Sequence, residues 1–502
     1  MKFRKTTIQA LIAPLIISGG FLALSGNAYA NDSDELEKLR ALVQELDQKV
    51  KIIERKDEIA AEDAAAKKKE TPVVSAGASG FGIKSADGNF EYQLKGLFQL
   101  DYRDFQNDGF NFNNSFPAGS STNQAEGFTA RRIRPTFQGT LFGKYDFRFT
   151  PEFGEAVNRA QDTGNSSRII DAYVDARFFP EVKVRAGKFK PYVGLERLQG
   201  GGDIKFIERS YVSNNILPNR DLGVSVYGDV LDGKLNYALG AFNGVADGGE
   251  GVTLLDTNDD KDYAARIFAT PFKGTDSVLE GLGLGFAATY GDSGGVANTG
   301  ITNGYKTPGQ ASNNFFALNA GVIGDGERKR WTPQAYYYTG PFGIIAEYAK
   351  SETDVSRTSG ALVNSGKIET DAWQIAGSWL LTGENASFKS PKPKNPFETG
   401  KAGWGAWELV ARYQQQEIDN SAFQGIGATA AQRTATQFAN PNASAKSAKT
   451  WGAGINWYIN QWVKLAVNYE QTKFENGAGA PNTPTRDRDD EKVLLSRLQF
   501  QF

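Results

Sequence analysis

From about Phe90 to Phe502, the chain alternates apolar and polar side chains in run after run. Tyr145, Phe147, Phe149, Pro151 and Phe153 alternate with Asp146, Arg148, Thr150 and Glu152. Leu282, Leu284, Phe286, Ala288 and Tyr290 form another such set, as do Trp451, Ala453, Ile455, Trp457 and Ile459. A period of two belongs to a strand with two unlike faces. One run is weak evidence of a membrane strand, whereas many in series are strong evidence. A barrel strand meets lipid on one side and the lumen on the other, so its average hydropathy looks soluble. Hydrophobic residues make up only 40% of the chain, and nothing after the N-terminus approaches the ~20 apolar residues of a spanning helix.

The connections alternate as well. Tight links occur at 142–144, 179–181, 231–234, 340–343 and 459–461. Between them lie long Asn/Ser/Thr/Gly-rich segments at 106–127, 153–167, 191–220, 244–260, 291–328, 351–367, 417–446 and 475–487. Short periplasmic turns and long extracellular loops are the outer-membrane pattern, whereas a soluble sandwich or solenoid does not demand it. Eight long segments imply sixteen strands. The chain closes on Arg497-Leu498-Gln499-Phe500-Gln501-Phe502, and this alternation on a terminal Phe resembles an outer-membrane assembly signal. The expected fold is all-β: a 16-stranded antiparallel transmembrane β-barrel over 90–502, in the outer membrane and in contact with its lipid.

The first ninety residues read differently. Lys2, Arg4 and Lys5, then the apolar stretch Ile8 to Leu24, then Ala28-Tyr29-Ala30, mark residues 1–30 as a signal peptide. Leu36, Leu39, Val43, Leu46, Val50 and Ile53 follow at spacings of 3 and 4, a heptad seam. The expectation is a coiled-coil helix over 31–61 in the periplasm, since one bare seam needs partners. Residues 62–89, rich in Ala, Lys and Gly, read as a linker.

The sequence contains no cysteine and no histidine. Zinc sites built on those residues, Ser-His-Asp triads and cysteine nucleophiles are therefore excluded. Carboxylate-only chemistry remains open in principle, but no catalytic residue, metal or cofactor is indicated, and the expectation is not an enzyme. With 56 Lys+Arg against 58 Asp+Glu, the chain is not built to coat nucleic acid.

With the apolar set turned to lipid, alternation points Arg132, Arg134, Asp146 and Arg148 into the lumen. It does the same for Lys183, Arg185, Arg266, Arg412 and Arg497, and for Asp171, Asp175 and Glu408. Arg131 and Arg132 fall on opposite faces unless the strand bulges there. Arginine offers a permanent charge and a planar fork matched to phosphate or carboxylate oxygens. A column of such sites lets an anion pass without binding any one of them too tightly. The bland alternative is a lattice of ion pairs that stiffens the barrel. The segment 191–220 carries Glu196, Arg197, Lys205, Glu208, Arg209 and Arg220 beside Gly200-Gly201-Gly202. It is expected to fold inward as a constriction loop, an ordinary outer loop being the alternative.

The chain resembles the phosphate-selective porin O/P family. The matching stretches are Phe128-Thr129-Ala130-Arg131-Arg132-Ile133-Arg134, Gly187-Lys188-Phe189, Gly194-Leu195-Glu196-Arg197 and Asn219-Arg220-Asp221-Leu222-Gly223. Leu381-Thr382-Gly383-Glu384, Gly405-Ala406-Trp407-Glu408-Leu409 and Asn456-Trp457-Tyr458 continue the likeness. The resemblance implies a homotrimer, a constricting third loop, and inward arginines that bind phosphate or polyphosphate. Arg131 and Arg132 fall on the family's paired arginines, Arg197 on its basic loop position, and Arg266 on an arginine after the fourth long loop. At 134 an arginine replaces the aromatic residue of phosphate-specific members, which widens the range of anions implied. The expected function is a passive, anion-preferring channel for inorganic phosphate or other small anions. Its expected pore-lining residues are Arg131, Arg132, Arg134, Arg148, Arg197, Lys205, Arg266, Arg412 and Arg497. The rivals are a general or carboxylate-type porin, or a tether whose helix reaches towards the cell wall.

Overall fold

The computed structural model describes residues 32–77, 80–106, 126–154, 167–251, 259–293, 301–302, 304–310, 314–479 and 485–502. The expected signal peptide lies outside these residues. The chain divides into two units, 1–71 and 72–502.

The first unit contains one helix, α1 (Asp32–Glu70). Leu36, Leu39, Val43, Leu46, Val50 and Ile53 are 48–66% exposed, so the seam is bare. The helix does not end near 61, because the Ala/Lys run that reads as a linker is made of strong helix formers. It stops before Thr71-Pro72, where proline restricts the preceding residue.

The second unit begins with a small hairpin inside the expected linker, β1 (Val73–Gly77) and β2 (Gly80–Lys84), and β2 pairs with the start of β3. The barrel follows. Its first half is β3 (Glu91–Phe105), β4 (Gly127–Leu141), β5 (Tyr145–Glu152), β6 (Arg168–Phe179), β7 (Val182–Phe189), β8 (Asp221–Val230), β9 (Leu235–Phe242) and β10 (Asp262–Ala269). Its second half is β11 (Leu282–Ser293), β12 (Val322–Thr339), β13 (Phe342–Ser359), β14 (Leu362–Leu380), β15 (Ala406–Ile418), β16 (Ala445–Tyr458), β17 (Val463–Ala478) and, after the short β18 (Arg486–Asp487), β19 (Glu491–Gln501). Each strand pairs antiparallel with the next, and β19 closes on β3 from Val493↔Phe105 to Gln501↔Leu97, giving a closed 16-strand barrel. Closure leaves no free sheet edge, which a bilayer requires.

The outward aromatic residues mark the membrane band. Trp331–Tyr348, Trp373–Tyr413 and Trp451–Tyr469 form one girdle, with ring centroids 5.1–5.5 Å apart. Phe342–Trp379 and Trp407–Trp457 form the other. On β14, Trp373 and Trp379 stand ~20 Å apart along the strand, one in each of the aromatic girdles that flank an apolar band.

Two connections depart from expectation. Residues 351–367 are not a loop: β13 and β14 run straight through them to a tight turn at Gly360 (φ 62°). Beyond the girdle the outer face meets water instead of lipid, while Val355 and Ile368 on the inner face pack into the core inside the barrel. The apolar-outside alternation that marks a membrane strand therefore disappears there. Lys350–Glu369 (2.8 Å) and Lys350–Glu352 (3.4 Å) now occupy the outer face. The other departure is 381–405, a long connection at the short-turn end, between β14 and β15.

Candidate functional site: an arginine-lined cavity beside an inserted loop

The segment between β7 and β8 crosses the lumen. It contains a single-turn helix, α2 (Leu195–Leu198), and is mostly buried. The far wall holds it by its backbone. Leu195 N and Glu196 N donate to the Glu347 carboxylate at 2.6 and 3.1 Å. Ile207 N donates to Asn468 Oδ1 (2.7 Å) and Tyr211 N to Gln414 Oε1 (2.9 Å). An inward-facing carboxylate on β13 and amides on β15 and β17 thus supply the acceptors that a loop inside a barrel would otherwise lack. Tyr211, Val212, Ile216 and Leu217 then join Tyr305, Phe315, Phe316 and Phe438 in an apolar core inside the barrel.

The glycine run brings the loop against the wall of β3, β4 and β19. Gln99 Nε2 donates to Gly201 O (3.0 Å) and Gln499 Nε2 to Gly202 O (3.1 Å). A Cβ on Gly202 would sit 2.0 Å from Gln501 Oε1, so any larger residue there would displace the Gln501 side chain. The connection 381–405 meets the loop from below: Ser390 N donates to Asp203 Oδ1 and Ser390 Oγ to Gly202 O, both at 3.0 Å.

The loop therefore fills one side of the lumen and leaves a cavity of about 970 Å³ on the other, against β3–β7, β9 and β10. Strands contribute Lys95, Arg134, Arg148, Arg185 and Arg266 to it. The inserted loop adds Lys190 and Arg220, and the lower connection adds Lys389 and Lys392. These nine basic side chains face two acidic ones, Asp171 and Asp203.

Three of the basic groups are paired with carboxylates. Arg134 meets Glu152 (2.5 Å), Arg220 meets Asp171 (2.9 Å), and Arg185 grips Asp175 through two bonds of 2.7 and 2.6 Å. The other six have no carboxylate partner among the described residues. Arg266 donates only to the neutral amides Gln334 (3.1 Å) and Asn236 (3.3 Å). Lys190 donates to the carbonyls of Arg197 (2.7 Å) and Gln199 (2.8 Å). Burial, with Arg209 and Arg220 nearby, pushes its ammonium well below the lysine range, as befits a cation short of anions.

Of the nine residues expected to line the pore, Arg134, Arg148 and Arg266 line this cavity. The other six residues expected to line the pore are not among the residues that line this cavity. Arg131 is the extra residue of a bulge in β4, where Gln99↔Arg132 is followed by Leu100↔Ala130. The bulge turns both Arg131 and Arg132 inward. Arg131 grips Glu208 on the inserted loop, and Arg132 is buried against Gln99. Arg197 lies in the loop's own interior, on Asn219 (3.1 Å) and the Ser213 carbonyl. Lys205 pairs with Glu408 (3.2 Å), Arg412 with Glu470 (2.9 Å) and Arg497 with Asp101 (2.6 Å). Arg131, Lys205, Arg412 and Arg497 thus stand in a lattice of ion pairs, and Arg132 and Arg197 are held by neutral groups. Alternation specifies which face a side chain takes, and the partner across the lumen decides whether its charge remains free. Lys389 and Lys392 gave no such signal, because they lie in a connection with no strand pattern.

The arrangement can attract, orient and pass small anions. It offers no nucleophile–base pair, and no acidic cluster among the described residues is placed to hold a metal ion.

The model of one protein family, phosphate-selective porin O and P, matches residues 93–502. The chain is 24% identical over 449 residues to Porin O of Pseudomonas aeruginosa, covering 84% of this chain and 91% of that protein. Among solved structures, the outer membrane channel DcaP of Acinetobacter baumannii superposes with a TM-score of 0.50 at 12% identity, over 84% of this chain and 100% of that one.

Proposed function

This chain belongs to the phosphate-selective porin O and P family, and we propose that its anion preference resides in the cavity beside the inserted loop. It is an outer-membrane porin, a channel rather than an enzyme. The observation that carries the proposal is the excess of nine basic over two acidic side chains, six of the nine without a carboxylate. Low-dielectric walls focus that local potential, so a net charge of −2 on the whole chain does not set the sign of the current. Arg148 and Arg266 are the permeant-binding arginines among those read from sequence, joined by Lys190, while Arg134, Arg185 and Arg220 line the cavity with their charge met by Glu152, Asp175 and Asp171. Arg131, Arg132, Arg197, Lys205, Arg412 and Arg497 serve as the frame that positions the loop.

Inorganic phosphate is the favoured permeant on the strength of the family and of guanidinium forks facing open space. Phosphate added to single channels in chloride should lower the current in a saturable way. Anion current without such block would leave the channel and remove the phosphate site.

The functional unit is a homotrimer, with α1 as its assembly helix and residues 1–30 removed on export. With Leu36 at heptad position a, a parallel in-register bundle sets Glu35 against Arg40 and Lys49 against Glu54 of neighbouring copies. These complementary pairs favour self-association over a tether to the cell wall.

A further inference from the structure

We propose that the cavity contains a subsite for organic anions, which holds the charged group on Arg148 and a flat unsaturated body against Tyr173 and Tyr192. The inference rests on the anion-channel reading and extends its permeants beyond inorganic ions.

An inorganic phosphate presents no apolar surface, so a vestibule made only for it needs water, cations and polar groups. This cavity is also lined by Leu97, Ile170, Leu198, Tyr173 and Tyr192. Its volume of about 970 Å³ suits a small organic molecule rather than one tetrahedral ion.

The aromatic residues are locked in place before any ligand arrives. Tyr192 packs on Tyr227 with centroids 4.9 Å apart, and Phe189 lies 6.0 Å from Tyr173 and 6.3 Å from Tyr192. The Arg185 guanidinium sits among them, 3.9 Å from the Tyr173 centroid and 5.6 Å from that of Tyr192. Its charge is already engaged by Asp175, so Arg185 organises the rings rather than binding the permeant. Arg148 is the opposite case. It stands directly across from Tyr173 in the β5–β6 register, and its Nε has no hydrogen-bond partner. A cation with spare donors beside fixed aromatic faces fits an aromatic carboxylate, with the ring stacked and the carboxylate on the fork.

The test compares benzoate with acetate as blockers of chloride current through the purified porin in planar bilayers, each channel normalised to its own chloride conductance. Benzoate should half-block at a concentration about tenfold lower than acetate, the scale of one aromatic contact. Tyr192→Ala should bring the two within about twofold, and Tyr192→Phe, which keeps the ring, should preserve the gap. If Tyr192→Ala fails to insert, Tyr173→Leu should narrow the same gap. Equal block by both anions in the unmodified channel, or a gap that survives loss of the ring, overturns the subsite. Absence of anion current would instead overturn the channel reading beneath it.

Discussion

Arg131 grips Glu208 through two bonds, Nε to Oε1 at 2.7 Å and Nη2 to Oε2 at 3.2 Å, and so ties a strand bulge to the inserted loop. Arg103 joins the same carboxylate at 3.0 Å, and all of Glu208 is buried. Breaking a buried ion pair from one side costs about 3–5 kcal/mol. Glu208→Gln is expected to lower the thermal unfolding midpoint and, by loosening the loop, to raise single-channel conductance. Unchanged melting and unchanged conductance would show that the loop is held elsewhere.

The same latch sets a pH window. Burial alone would raise the Glu208 carboxyl, but Arg131, Arg103 and Arg132 hold it well below its ordinary value of 4.5. A lowered folded value stabilises above the unfolded one and is lost only as pH falls through the folded one. Conductance should therefore stay constant from neutral pH down to about 4.5 and rise only in stronger acid. A step in conductance between pH 5 and 7 would assign the latch to another group.

Free and paired arginines should behave differently when removed. Arg148→Ala and Arg266→Ala take unpaired charge from the cavity and should each lower the anion-to-cation permeability ratio by about threefold, without large loss of stability. Arg497→Ala strands Asp101 and should impair folding instead, by roughly 3–5 kcal/mol. Reversal potentials and thermal melts of the three variants separate these outcomes. A selectivity loss confined to Arg497→Ala would invert the assignment.

Helix α1 belongs to a separate unit and contributes no strand to the barrel. Removing 32–70 should leave strand content by circular dichroism unchanged. It should lower the temperature at which the native oligomer dissociates on a semi-native gel. An oligomer of unchanged heat resistance would end the assembly role of the helix and leave the barrel untouched.

The legible parts of the sequence were those where two environments differ sharply across one strand. Lipid outside and lumen inside gave the alternation that places Arg134, Arg148 and Arg266 inward. Where that contrast ends, so does the signal, as in 351–367 above the girdle. Pairing across the lumen was not readable either. Nothing in the string of residues near 131 or 208 says that these two meet, because the bulge and the loop insertion come from tertiary packing. For the same reason the aromatic cluster around Arg185 and the lysines at 389 and 392 emerged only with the fold.

The central claim is that unpaired basic groups in the cavity make this an anion channel despite an acidic chain. The reversal potential of the unmodified porin in a potassium chloride gradient across a planar bilayer tests it most directly. The account predicts a potential of the sign set by chloride, shifted towards zero by Arg148→Ala. A potential of the sign set by potassium would contradict it.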